Sequence, residues 1–141
     1  MWSRIAERLR LFPARLKVAR ALVELGLGVD GQGNIVCGPI PMDEAKLARA
    51  LGVDRRVVKE TANFILRDEE LKEIFKGLRP AGPFLPNVAK YLGYGVIEIY
   101  ADPHKVGILA KAATIVSERG ISIRQAVAED PDLSPEPKLT L

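Results

Sequence analysis

The chain has 141 residues, of which 48% are hydrophobic and 28% charged, and its formal net charge is +3. These are ordinary globular proportions, with room for one domain or two small ones. No apolar run approaches the roughly 20 residues of a membrane span, the N-terminus has no apolar signal core, and a lone Cys37 excludes an internal disulfide. A cytoplasmic protein with no membrane partner, no metal and no cofactor is the expectation. The charge is unevenly spread: residues 1–67 hold 12 Lys and Arg against 7 Asp and Glu, a net of +5, and residues 68–141 carry −2.

In chain order, Ser3 is placed to cap a short amphipathic helix that buries Ile5, Leu9 and Phe12. Pro13 suits the first turn of a second helix, in which Leu16, Ala19, Leu22 and Val23 recur at helical spacing. Gly26 and Gly28 end it. A turn cluster over 30–34 lies between apolar residues 27–29 and 35–37, which predicts a β-hairpin. Cys37 reads as a core residue there. Pro39 and Pro41 predict a rigid connector.

Asp43 is placed to cap a helix carrying Leu47, Ala48 and Leu51. Gly52 breaks it, and Asp54 caps another over 55–67. Ala48 is small enough for the second helix to approach, and Gly52 allows a left-handed turn. Leu47, Leu51, Val53 and Val58 supply the apolar lock. Together these predict a helix-turn-helix centred on residues 46–66. Its outward residues are Arg55, Arg56, Lys59 and Asn63. Arg reads guanine edges, Asn reads adenine, and Lys and Arg neutralise phosphates, so DNA is the expected partner. Residues 68–76 are charged and read as helical. Glycines and prolines at 77–83 mark a boundary.

Residues 84–92 predict a short helix with Val88, Tyr91 and Leu92 on one face. A strand over 96–100, a helix over 105–119, a stop at Gly120 and a strand over 121–127 predict a β-α-β unit, with a third strand starting at 138. His104 reads as a surface histidine and Glu129, Asp130 and Asp132 as a solvated turn. No nucleophile, base and supporting group recur in a catalytic pattern, so a non-catalytic protein is expected.

The pattern from Val96 to Val127 resembles the first half of an ACT domain. The matching pieces are Asp102-Pro103-His104-Lys105-Val106-Gly107-Ile108-Leu109 and Gly120-Ile121-Ser122-Ile123. With Leu92-Gly93-Tyr94-Gly95-Val96-Ile97-Glu98-Ile99 and Ile123-Arg124-Gln125-Ala126 through Asp130-Pro131-Asp132-Leu133, the whole chain resembles archaeal ACT-containing regulators of amino-acid metabolism. Val106 stands where many ACT loops have proline, and Ser122 where many have asparagine.

The resemblance implies an α+β fold. A helix-turn-helix domain with a small β-hairpin would span 1–79, a linker with a short helix 80–95, and a partial ACT-like, ferredoxin-like unit 96–141. Because the βαββαβ set stops at its third strand, the expectation is a unit cut short or completed by another chain. The resemblance further implies a homodimer that binds an amino acid through Asp102, Gly107, Ile108, Ile121 and Ser122, and so an amino-acid-responsive transcriptional regulator. The alternative is an adaptor that docks on an amino-acid biosynthetic enzyme without binding DNA.

Overall fold

A computed structural model describes residues 1–141. The chain is mixed α and β and divides into two compact units, Met1–Gly82 and Pro83–Leu141. No helix is long and apolar enough to cross a membrane.

The first unit is built from five helices and a three-stranded antiparallel sheet. The helices are α1 (Trp2–Leu9), α2 (Pro13–Glu24), α3 (Glu44–Leu51), α4 (Arg55–Arg67) and α5 (Glu69–Gly77). The strands are β1 (Gly28–Val29), β2 (Ile35–Cys37) and β3 (Ile40–Pro41), in that spatial order. Central in the packing is α4, which lies against α2, α3 and α5. Its Val58, Ala62 and Ile65 are fully buried with Ile5, Leu9, Val18, Leu22, Ile35 and Phe75. Burying each large side chain contributes about 1.5–3 kcal/mol. Thr61 is also buried, and its hydroxyl donates to the Val57 carbonyl at 2.7 Å, so no polar atom is stranded.

Several ties hold the helices in register. Arg8 of α1 bonds Asp68, which caps α5, and reaches Glu70 at 2.6 Å. Arg15 of α2 pairs with Glu60 of α4 at 2.8 Å. Trp2 is buried, with the Arg20 guanidinium 5.9 Å from its ring.

Three expectations for this unit are corrected. Met1, not Ser3, stands at the cap position of α1, and no side chain caps it. Phe12 is 40% exposed rather than buried, because it lies on the outside against Phe64, with ring centroids 6.0 Å apart, and under Arg15. The connector at Pro39 and Pro41 contains β3, which pairs Ile40 with Cys37 and Pro41 with Val36. Proline is tolerated there because β3 is an edge strand.

The second unit holds two short 3-10 turns, Leu85–Asn87 and Ala89–Leu92, then β4 (Glu98–Tyr100), α6 (Ile108–Ser117), β5 (Val127–Ala128) and β6 (Lys138–Thr140). Its sheet order is β4-β6-β5, with β6 antiparallel to both neighbours. So β4 and β5 run parallel with a strand between them, the arrangement called a split β-α-β. Ile99 pairs with Leu139, and reciprocal bonds between Ile97 and Leu141, 3.1 and 2.9 Å, extend that ladder. Glu98 and Lys138 form an ion pair across it.

Here too the expected elements shrink. The strand over 121–127 is ordered as a strand only at Val127–Ala128, since β6 spans three residues and offers residues 121–126 no ladder. The expected helix over 84–92 is two 3-10 turns that bury Ala89 and leave Val88, Tyr91 and Leu92 exposed. Helix α6 starts at Ile108, not 105, because Gly107 takes φ 84° and caps it. Residues 83–95 belong to the second unit: the Gln125 side chain donates to the Pro83 carbonyl at 2.8 Å and accepts from the Leu85 N–H at 3.0 Å.

Candidate nucleic-acid interface and ligand loop

Local chemistry fixes the α3–turn–α4 corner. The Asp43 carboxylate accepts from the backbone N–H groups of Ala45, 2.8 Å, and Lys46, 3.0 Å, and so caps α3. Gly52 ends that helix at φ 62°, ψ 41°, a left-handed conformation that an L side chain adopts at a cost of about 1–2 kcal/mol. A Cβ at Gly52 would meet only the Lys17 ammonium, 3.9 Å away, so conformation rather than space requires glycine. Val53 then donates to the Ala48 carbonyl at 3.0 Å and closes the turn. Asp54 caps α4 by accepting from Arg56 at 2.7 Å. The Lys46 N–H, with the Ala45 N–H and the charges of Lys46 and Arg55, outweighs the opposing effect of burial and holds the Asp43 carboxyl below its ordinary value.

This corner brings Arg55, Arg56 and Lys59 together on one open cleft, which Asn34, Met42, Asp43, Glu44 and Asp54 also line. Arg55 and Arg56 are exposed and make no ion pair. Lys59 is half-buried and reaches Glu44 of α3 at 3.4 Å. Asn63 is exposed but lies outside the cleft, a turn further along α4. The hairpin turn stands beside it: a Cβ on Gly33 would come within 3.5 Å of the Asn63 side-chain oxygen and 3.3 Å of Leu66. That turn is rigid, since Asp30 accepts from Gln32, from the Asn34 N–H and from the Asn34 amide, the last at 2.9 Å.

Lys17 of α2, one of the basic residues of the first half of the chain, stands near the Gly52 turn. Sequence reasoning missed two contributors. Glu44 faces Lys59 only because two helices meet, and no spacing in the chain announces that. The hairpin precedes the helix pair in sequence but flanks α4 in space.

In the second unit, the residues expected to bind an amino acid fall into two groups. Gly107 and Ile108 line a cleft of about 250 Å³ with Ile99 and Leu139. Ile121 and Ser122 line a separate cavity of about 300 Å³ with Ile97 and Val116. Asp102 lines neither. Its carboxylate accepts from the His104 N–H at 3.0 Å and shapes the loop itself. The Asp130 carboxylate likewise accepts from the Asp132 N–H at 2.8 Å within its own turn. Compared with known protein families, with curated proteins and with solved structures, the chain matches none.

Proposed function

We propose that the chain is a DNA-binding transcriptional regulator in which α3, the Gly52 turn and α4 serve as a helix-turn-helix, coupled to a small-molecule sensor in the second unit. The observation that carries this reading is the pair Arg55 and Arg56: two exposed guanidiniums that form no ion pair, on the first turn of a capped helix. In such a motif the N-terminal end of the second helix meets base edges in the major groove. Arg55 and Arg56 would contact guanine edges or phosphates, Lys17 and Lys59 phosphates, and Asn63 an adenine. The excess of basic residues in the first half of the chain supports the same partner.

The sensor part rests on the ACT-like order of elements and on the split β-α-β sheet. A homodimer would set two half-sites about 34–36 Å apart, and an amino acid bound near Gly107 would change their spacing. Binding to mixed genomic duplex, followed by fluorescence anisotropy across salt concentrations, tests the DNA reading. Affinity is expected to fall steeply with salt, and replacing Arg55 and Arg56 by Ala is expected to lower the log–log slope by about 2. Absence of binding at low salt contradicts the reading.

A second reading has its own observation. The cleft mixes three cations with the carboxylates of Asp43, Glu44 and Asp54, a pattern that suits a protein surface. In that case the first unit docks on an amino-acid biosynthetic enzyme. Loss of a purified enzyme complex on Arg55→Glu, with no duplex binding by the parent chain, would favour it.

A further inference from the structure

Given the DNA reading of the α3–α4 cleft, on which this rests, we propose that Glu44 is an internal competitor for the phosphate backbone. Its carboxylate holds the Lys59 ammonium, and a duplex gains Lys59 only by displacing it. Three carboxylates line the cleft with Arg55, Arg56 and Lys59. Two of them hold helix ends: Asp43 accepts from the N–H groups of Ala45 and Lys46, and Asp54 from that of Arg56. Glu44 caps nothing and faces α4 instead. Its Oε1 lies 3.4 Å from the Lys59 Nζ, and its side chain is 17% exposed against 45% for that of Lys59. The carboxylate is the sheltered partner, and the lysine, on a flexible four-carbon stem, is the one free to turn outward. Glu44 also stands on the first turn of α3, where the positive end of the helix dipole favours a negative charge.

Magnitudes make this contact a competitor rather than a block. A part-exposed ion pair of lysine and carboxylate is weak, and a phosphate in its place gives a charge-assisted bond of the same kind. The exchange is therefore close to balanced, and Lys59 adds little net affinity while Glu44 remains. Glu44 also meets an approaching phosphate as a like charge. Arg55 and Arg56, which form no ion pair, offer their charges in full. The consequence is selectivity: sequence-independent hold on the backbone is reduced, and the base contacts of Arg55 and Arg56 decide which duplex is kept.

The test is a double-mutant cycle on the full chain, read by anisotropy with labelled mixed genomic duplex at several salt concentrations. The proteins are the parent, Glu44→Gln, Lys59→Gln and the double variant. Glutamine keeps the length of glutamate and suits a helix, so circular dichroism should be unchanged. Glu44→Gln is expected to bind about fivefold more tightly at low salt, with a log–log slope steeper by up to about 0.9, the release that accompanies one more neutralised phosphate. In the Lys59→Gln background the same substitution should change affinity by less than about twofold and leave the slope alone, whereas a general change of net charge would act alike in both backgrounds. Equal affinity and slope for the parent and Glu44→Gln would overturn the proposal, as would the same gain with and without Lys59. Either result, with salt-sensitive binding by the parent, leaves the DNA reading standing. Binding by Glu44→Gln where the parent shows none supports the competitor role and contradicts the DNA reading of the parent chain. Binding by none of the four overturns both.

Discussion

Single residues decide the corners of the first unit. Gly26 has φ 64°, and a Cβ there would lie 2.7 Å from the Arg79 carbonyl oxygen and 2.9 Å from the Pro80 Cα. Both are backbone atoms that cannot swing aside. Gly26→Ala is therefore expected to cost more than about 2 kcal/mol, combining left-handed strain with a backbone shift. Chemical denaturation checks this; a loss below about 0.5 kcal/mol would contradict the geometry. Asp68 gives a second residue-scale prediction. Burial pushes its carboxyl up, but the Leu71 N–H, the Arg8 charge and bond, and the Glu70 N–H outweigh burial and hold it below its ordinary value. A depressed carboxyl stabilises the fold above its unfolded value, and that stability is lost as pH falls through the folded value. Asp68→Ala should cost about 0.5–2 kcal/mol at neutral pH, the range for a lost helix cap. It should also flatten the acid limb of the stability profile. A parallel acid limb in the two proteins would rule this out.

Elements were readable where their chemistry is local. Pro13 at the start of α2, Asp43 and Asp54 as caps and Gly52 as a left-handed stop each act through bonds to residues a few positions away. So the chain alone placed α2, α3 and α4, and it placed Arg55 and Arg56 on the exposed first turn of α4, with Lys59 half-buried a turn further on. It could not place what depends on a distant partner. Residues 121–126 alternate like a strand, yet a strand needs a neighbour, and the three-residue β6 ends too soon to provide one. Phe12 has the spacing of a core residue but finds Phe64 and Arg15 on the surface first. The neutralising Glu44 was hidden for the same reason, since its partner lies on another helix. At this scale α4 is the element whose loss matters most. Ile65→Ala removes a fully buried side chain at the junction of α4 with its neighbours. It should cost about 2–5 kcal/mol and weaken DNA binding only through unfolding. Retained stability with lost binding would place Ile65 in the interface instead.

Across the whole molecule the two units differ in how much they bury. The first hides a continuous set of large apolar side chains from Ile5 to Phe75. The second buries only Ala89, Val116, Leu139 and Thr140, and leaves Tyr91, Ile97, Tyr100, Leu109, Ile115 and Ile121 among its exposed apolar residues. Local opening follows buried contact density. Hydrogen exchange of the chain should therefore show slow amides in α2, α4 and α5 and fast ones through β4, α6 and β5. Uniform protection across both units would contradict this. The Glu98–Lys138 pair adds a pH window to the second unit. Lys138 holds the Glu98 carboxyl down, and Glu98 holds the Lys138 ammonium up. The pair weakens as pH falls through the lowered glutamate value and again as pH rises through the raised lysine value.

The central claim, that the first turn of α4 meets DNA, is tested most directly by an anisotropy titration of labelled genomic duplex at low salt. The proteins compared are the parent chain, Arg55→Ala/Arg56→Ala and a control, Lys111→Ala, on α6. The account predicts salt-sensitive binding by the parent and the control. Binding by the double variant should weaken by at least about tenfold, with its circular dichroism unchanged. Equal binding by all three proteins, or binding by none, contradicts it.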